Sequence, residues 1–256
     1  RFYLDWSTRW NARQAHAIIT ISAATRDDLV ACYGVDPRKV SIVYPGVDKS
    51  IRREENPAEI ARVRARYGLP DRYLLYIGTL HPRKNVAGLV RAYGRALSEW
   101  PAEFGDAPGL VIAGKKGWLY DQIFAEVQSR GLDNRVTFTG YVAQEELIPL
   151  LSGADAFVFP SLFEGFGFPV LEAMACHVPV ITSNVSSLPE VAGDAALLVD
   201  PRDEGALADA IVRLASDGAL RATLVDRGVR RAASFTWARC GSETMAVLRR
   251  AGGAVD

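Results

Sequence analysis

The chain has 256 residues, 49% of them hydrophobic and 23% charged, enough for one large soluble domain or two modest ones. Thirty basic residues balance thirty acidic ones, so no net field argues for nucleic acid; no apolar run reaches membrane-spanning length and no signal-peptide pattern is present. Cys32, Cys176 and Cys240 are scattered and odd in number, which points to a reducing compartment and away from a disulfide framework or a metal cluster. His16, His81 and His177 are isolated and read as surface or packing residues, so no metal ligands are assigned.

From the start, the spacing of Leu4, Trp6, Trp10 and Gln14 predicts an amphipathic helix over residues 2–15. Residues 18–21 form a β-branched strand, Ser22 can cap a helix running to about Cys32, and residues 40–44 make another strand. Four such elements cannot bury a core comparable to that of residues 57–234, so residues 1–45 read as the tail of a preceding α/β domain. Pro45-Gly46-Val47-Asp48 then marks a crossing, with residues 46–56 as the linker.

From residue 57 strands and helices alternate. Strands are expected at 73–77, 110–113, 136–138, 156–159, 180–182 and 196–199, all short, apolar and largely β-branched or aromatic, as strands buried on both faces should be. Helices are expected at 85–99, 119–130, 145–152, 169–176, 187–192, 203–215 and 219–234. The order predicts an α/β fold with a doubly wound parallel sheet over 57–234, whose ligands sit beyond the carboxyl ends of the strands.

Those ends carry the chemistry. The first strand runs into Gly78-Thr79-Leu80-His81-Pro82-Arg83-Lys84-Asn85, the second into Gly114-Lys115-Lys116-Gly117, the third into Gly140-Tyr141, and the fifth into Ser183-Asn184. The fourth runs into a glycine-broken loop with Glu164, followed by Glu172 at the start of a helix opened by Pro169. Only five lysines occur, Lys39, Lys49, Lys84, Lys115 and Lys116, and three of them fall in two of these loops. Cations beside a helix start neutralise phosphate, the helix dipole adds to them, and carboxylates accept hydrogen bonds from vicinal hydroxyls. The set describes a pocket for a molecule with both phosphates and sugars. Neither G-x-G-x-x-G nor the Walker pattern is present, since Gly165-Phe166-Gly167 is only a fragment and sits at the fourth strand.

The segment with Glu164 and Glu172 separated by seven residues, the Gly-Thr-Leu-His-Pro-Arg-Lys-Asn loop and Pro45-Gly46-Val47-Asp48 together resemble the retaining nucleotide-sugar glycosyltransferases of family 4. The resemblance covers essentially the whole chain and implies the GT-B fold of two facing Rossmann-like domains. Residues 1–45 would then be a remnant of the acceptor-binding domain, 57–234 the donor-binding domain, and 235–256, opened by Phe235-Thr236-Trp237, a final helix crossing back toward the first domain. By resemblance, Glu172 would hold the donor ribose and Glu164 would lie against the donor sugar. Phe166, Gly167 and Phe168 would contact sugar hydroxyls and phosphate, and Leu171 would pack near the nucleoside. Arg83 and Lys84 would bind the diphosphate and stabilise the leaving group, so the chemistry would require neither metal nor cofactor. Gly140 and Tyr141 would lie by the base, with Gly114 and Lys115 nearby. Gly78 and Thr79 open the donor loop; many relatives have arginine where this chain has Thr79, and Arg83 would supply that charge.

The resemblance implies transfer of a hexose, with retention, to a saccharide or lipid-linked acceptor in polysaccharide assembly. GDP-mannose is the first donor expected and UDP-glucose the second. The expected location is the cytoplasm, with room for peripheral contact at the inner face of a membrane through the first domain. No match to a glycine-rich donor loop or an acceptor-side histidine is found, so the chain reads as N-terminally truncated. Two rivals stand beside this: another GT-B enzyme such as a sugar-nucleotide epimerase or phosphorylase, and a non-catalytic nucleotide-sugar-binding module or partner subunit.

Overall fold

Caps and turn residues set where the elements begin and end in the structure, a computed structural model that describes residues 2–118 and 120–253. Residues up to Asp48 and those from Ser234 onward form one compact unit, and Lys49–Ala233 a second. Of the linker expected at 46–56, residues 46–48 thus fall in the first unit and 49–56 in the second.

The first unit opens with α1 (Phe2–Gln14), β1 (Ile18–Thr20), α2 (Ala23–Tyr33) and β2 (Val40–Ile42). Ser22 caps α2 as its hydroxyl oxygen accepts from the Thr25 N–H at 3.0 Å. Gly34 ends that helix at φ 65°; its N–H turns back to the Val30 carbonyl and the N–H of Val35 to that of Leu29. β1 and β2 pair in parallel, with Ile18 opposite Val40 and Thr20 opposite Ile42.

The second unit runs α3 (Pro57–Tyr67), β3 (Tyr73–Ile77), α4 (Val86–Ser98), β4 (Gly109–Ala113), α5 (Asp121–Ser129), β5 (Val136–Gly140), α6 (Gln144–Ser152), β6 (Ala156–Phe159), α7 (Phe168–Ala175), β7 (Val180–Ser183), α8 (Leu188–Ala192), β8 (Ala196–Val199), α9 (Glu204–Ser216) and α10 (Gly218–Ala233). The six strands lie where the apolar runs place them, within two residues. Leu119, the expected first residue of α5, lies outside the described residues. The sequence reading has no counterpart for α3, although Asn56-Pro57 signals it: the Asn56 side chain accepts from the Ala58 N–H at 3.0 Å and proline takes the first turn.

All six strands are parallel in the order β5-β4-β3-β6-β7-β8. Leu74, Leu75, Phe157, Val158 and Ile181 are fully enclosed, which explains why their strands read as continuous apolar runs. The chain builds outward from β3 through β4 to β5, then returns to β6 on the other side. The switch point therefore lies between β3 and β6, where such sheets open a crevice at the carboxyl ends of the strands.

α11 (Trp237–Ala251) completes the first unit, capped by Thr236, which accepts from the Arg239 N–H at 3.2 Å. The Val47 N–H donates to the Phe235 carbonyl at 2.9 Å. A Cβ on Gly46 would lie 2.2 Å from the Trp237 nitrogen, so close backbone approach is what demands glycine there. Residues 254–256 of the expected last helix lie outside the described residues.

One buried carboxylate ties α3 to α6. Glu146, 1% exposed, accepts from the Tyr67 hydroxyl at 2.6 Å, from Arg66 at 2.8 Å and from Arg62 at 3.2 Å. The Tyr67 hydrogen bond, with help from Arg62 and Arg66, holds its carboxyl below the ordinary value of 4.5. A depressed folded-state pKa contributes stability above the unfolded value, and that stability is lost as pH falls through the folded one. The urea midpoint is expected to drop on acidification below pH 4.5, with Glu146→Gln flattening part of that dependence. An identical pH response in wild type and Glu146→Gln would contradict this.

Candidate functional site

The loops after β3 and β6 meet at the switch point. Pro82–Lys84 is a single 3-10 turn, started by His81, whose Nδ1 accepts from the Arg83 N–H at 3.3 Å. Asn85 closes the turn with φ 56° and ψ 34°, a left-handed conformation that asparagine tolerates, and its side-chain amide donates to the Pro201 carbonyl at 2.6 Å. This turn points Arg83 and Lys84 at Glu164, about 80 residues on. Arg83 donates to one carboxylate oxygen at 2.9 Å and Lys84 to the other at 2.5 Å. Arg83 also donates to the Phe163 carbonyl, and its own carbonyl accepts from the Leu162 N–H.

Burial differs sharply within this cluster. The Lys84 and Glu164 side chains are 11% and 9% exposed, whereas Arg83 is 47% exposed. The Lys84 ammonium sits 4.8 Å above the Phe159 ring, and burial pulls its pKa down against the raising effect of Glu164. Below the loop, the Tyr76 hydroxyl is buried without a hydrogen-bond partner among the described residues, as is that of Ser161. Burial first, then the charge of Glu164, pushes the Tyr76 phenol far above its usual pKa, so it stays protonated.

The Glu164 backbone is pinned by serines from the loop after β7. Its N–H donates to the Ser186 hydroxyl at 3.2 Å, while the Ser186 and Ser187 hydroxyls donate to its carbonyl at 2.6 and 2.9 Å. Ser187 also reaches the Phe166 carbonyl, and Ser183 the Ser161 carbonyl at 2.7 Å. The run of small polar residues after β7 is the signal for this in the sequence, and the reading of the strand ends takes in only its Ser183-Asn184.

Glu172 behaves differently from Glu164. It lies in the second turn of α7, half-buried, and no hydrogen bond or ion pair to its side chain is seen among the described residues. Burial alone pushes its carboxyl above the ordinary value. α7 itself starts at Gly167, φ 130°, with no side-chain cap among the described residues; Pro169 has no N–H and that of Val170 turns back to the Gly167 carbonyl at 3.0 Å, which leaves the Phe168 N–H to meet an acceptor. At Gly167 a Cβ would come within 2.9 Å of Leu188.

The loops after β3 and β4 are zipped together, and the end of β4 to that of β5. Gly78 donates to Ala113, Leu80 to Lys115 and Gly114 to Gly140. Farther toward the sheet edge, the Lys115 ammonium lies 4.5 Å over the Tyr141 ring, which is 63% exposed.

Residues 71–217 match the family described as Glycosyl transferases group 1, and residues 1–51 match Glycosyltransferase Family 4. The chain belongs to the group 1 glycosyltransferases. It is 35% identical over 244 residues to the O-antigen chain mannosyltransferase B of Escherichia coli, covering 95% of this chain and 63% of that protein. It is 32% identical to the MMP alpha-(1->4)-mannosyltransferase of Mycolicibacterium hassiacum, covering 94% of this chain and 55% of the relative. The chain thus spans less than two thirds of the length of these relatives. Among solved structures, the sucrose-phosphate synthase of Thermosynechococcus elongatus superposes with a TM-score of 0.84 at 27% identity, over 100% of this chain and 63% of that one. Anabaena HepE, in a complex with UDP and glucose, gives 0.82 at 21% over 98% of this chain and 67% of its own, a likeness of fold. The parallel six-stranded sheet is thus that of GT-B glycosyltransferases.

Within this glycosyltransferase sheet, the expected site residues fall into three places. Arg83, Lys84 and Glu164 converge at the switch point, with Gly167, Phe168 and Glu172 on the adjoining helix start. Gly78, Thr79, Gly114, Lys115, Gly140 and Tyr141 line the strand ends from β3 outward to the edge strand β5. Leu171 is fully buried and Phe166 nearly so, its ring meeting Phe168 edge-on at 5.1 Å. Leu171 thus serves the core beneath the site. The roles of His81 and Asn85 in shaping the cation turn are visible only once the turn is folded.

Proposed function

We propose that the chain holds the donor site of a retaining hexosyltransferase that uses a nucleoside diphosphate sugar, GDP-mannose first and UDP-glucose second. Its acceptor is a saccharide or lipid-linked saccharide. The observation that carries this reading is the division of labour between two carboxylates eight positions apart. Glu164 is paired to both cations of the β3 loop, while Glu172 is half-buried with no protein partner among the described residues. A desolvated, unpaired carboxylate beside an uncapped helix start suits a vicinal diol, and Arg83 and Lys84 suit the diphosphate attached to it. As the glycosidic bond breaks, negative charge grows on the departing diphosphate, and two fixed cations at the mouth of α7 stabilise it. Glu164, against those cations, is placed to meet the sugar. Kinship with mannosyltransferases supports mannose as the group moved. Residues 1–45 are read as acceptor-side structure. Among the described residues, no helix is long and apolar enough to cross a membrane.

Calorimetry with GDP, UDP, guanosine and uridine tests the reading. Glu172→Ala is expected to weaken the best nucleoside diphosphate by about 1–3 kcal/mol, roughly 5- to 150-fold, since a carboxylate accepting from the ribose is lost. The parent nucleoside should lose affinity equally, because it carries the same diol. Unchanged affinity for both would remove Glu172 from the site.

A further inference from the structure

Resting on the reading of Arg83 and Lys84 as diphosphate ligands, we propose that Glu164 is an internal counter-anion that competes with the donor's diphosphate for those two cations, so that binding of the diphosphate displaces the carboxylate from them. Each carboxylate oxygen is engaged by one cation, Oε2 by Arg83 at 2.9 Å and Oε1 by Lys84 at 2.5 Å. With Lys84 and Glu164 almost wholly enclosed, their charges are poorly screened by water. A diphosphate brought to the same two cations meets a carboxylate of like charge a few ångströms away, and such juxtaposition inside a protein is costly unless one anion leaves.

What can move is the side chain and not the loop. The Glu164 backbone is held on both its N–H and its carbonyl by Ser186 and Ser187, which themselves belong to the wall after β7. The cation turn is equally fixed, by His81 at its start, by Asn85 reaching Pro201 at its end, and by the Arg83 carbonyl accepting from Leu162. With both backbones anchored, exchange of one anion for another proceeds by rotation of the Glu164 side chain about its own torsions. The diphosphate's arrival and the release of the carboxylate beside the sugar then become one coupled event. Affinity for the nucleotide is lower than two cations alone would give, and the difference is the work of displacing Glu164.

The test measures binding by calorimetry on residues 1–256, with GDP, UDP, guanosine, uridine and inorganic pyrophosphate as probes. Glu164→Gln keeps the size of the side chain while removing the competing charge and one of its two acceptor oxygens. It is expected to bind the preferred nucleoside diphosphate and pyrophosphate tighter by about tenfold, with nucleoside affinity unchanged. Should Glu164→Gln lose its thermal transition, Glu164→Asp serves in its place, because the side chain is one methylene shorter and reaches the two cations less well; it should also bind both diphosphates tighter. Unchanged or weaker diphosphate binding in the folded variant overturns the competition. If the variants Arg83→Ala and Lys84→Ala nevertheless lose diphosphate affinity selectively, the reading of the cations stands without it. If those alanine variants leave diphosphate binding intact, the reading itself fails, and the competition with it.

Discussion

Alanine at Arg83 or at Lys84 is expected to cut affinity for the preferred nucleoside diphosphate by roughly ten- to hundredfold, while affinity for its nucleoside stays nearly unchanged. The size comes from charge-assisted hydrogen bonds to phosphate, each worth about 1.5–3 kcal/mol. The two variants should differ. Arg83 is half exposed, and through Nη1 it reaches both Glu164 and the Phe163 carbonyl. Lys84 is almost enclosed, and its removal takes the enclosed partner from a buried carboxylate, leaving Glu164 only the half-exposed Arg83. Lys84→Ala should therefore lower the unfolding midpoint as well, whereas Arg83→Ala should scarcely shift it. Calorimetry with nucleotide and nucleoside side by side, together with urea unfolding, separates the effects. Equal loss of both ligands would mean that the cations shape the pocket instead of holding phosphate.

A second large effect is expected from a residue with no chemistry. Gly114→Ala should destabilise the Lys49–Ala233 unit by about 3 kcal/mol or more, a substantial share of the roughly 5–15 kcal/mol that holds a domain together. Gly114 follows β4 with φ 151°, a backbone conformation that a side chain disfavours. Its Cβ would also come 2.0 Å from the Gly78 carbonyl oxygen and 2.7 Å from that carbonyl carbon. Both obstacles are backbone at the head of the central strand, so no side-chain rotation relieves them. To make room, the loops after β3 and β4 must part, breaking the bonds from Gly78 to Ala113 and from Leu80 to Lys115 and disturbing the approach to Arg83. Urea unfolding would show the loss directly, and a change under about 1 kcal/mol would mean that the two loops tolerate separation.

By itself the sequence determined whatever depends on near neighbours along the chain. Apolar runs of four or five residues placed β3, β4 and β6, because a strand buried on both faces leaves no room for polar alternation. Ser22 announced the start of α2, because a cap is a contact over three residues. Alternation of strand and helix led to a parallel doubly wound sheet, and glycine, cation and carboxylate at successive strand ends marked Arg83, Lys84, Glu164 and Glu172 as a set. The helix α3 is equally legible in Asn56-Pro57, a local signal that the strand-first reading of residues 57–77 leaves unused.

How those residues use one another follows from the folded sheet. Nothing within reach of Glu164 along the chain says that its two oxygens are taken by side chains about 80 positions earlier while Glu172 has no such partner among the described residues. That difference arises because the sheet order β5-β4-β3-β6 sets the loops after β3 and β6 side by side. In the sequence Gly114 is one of several strand-end glycines, expected near the base; the close approach of Gly78 makes it a packing requirement. Leu171 looks like a ligand contact, and the fold encloses it. Local patterns arise from steric and hydrogen-bonding rules within one turn or one strand, whereas the pairing of charges and the burial of a given side chain depend on which strands become neighbours, a choice made by the packing of the whole sheet and its helices.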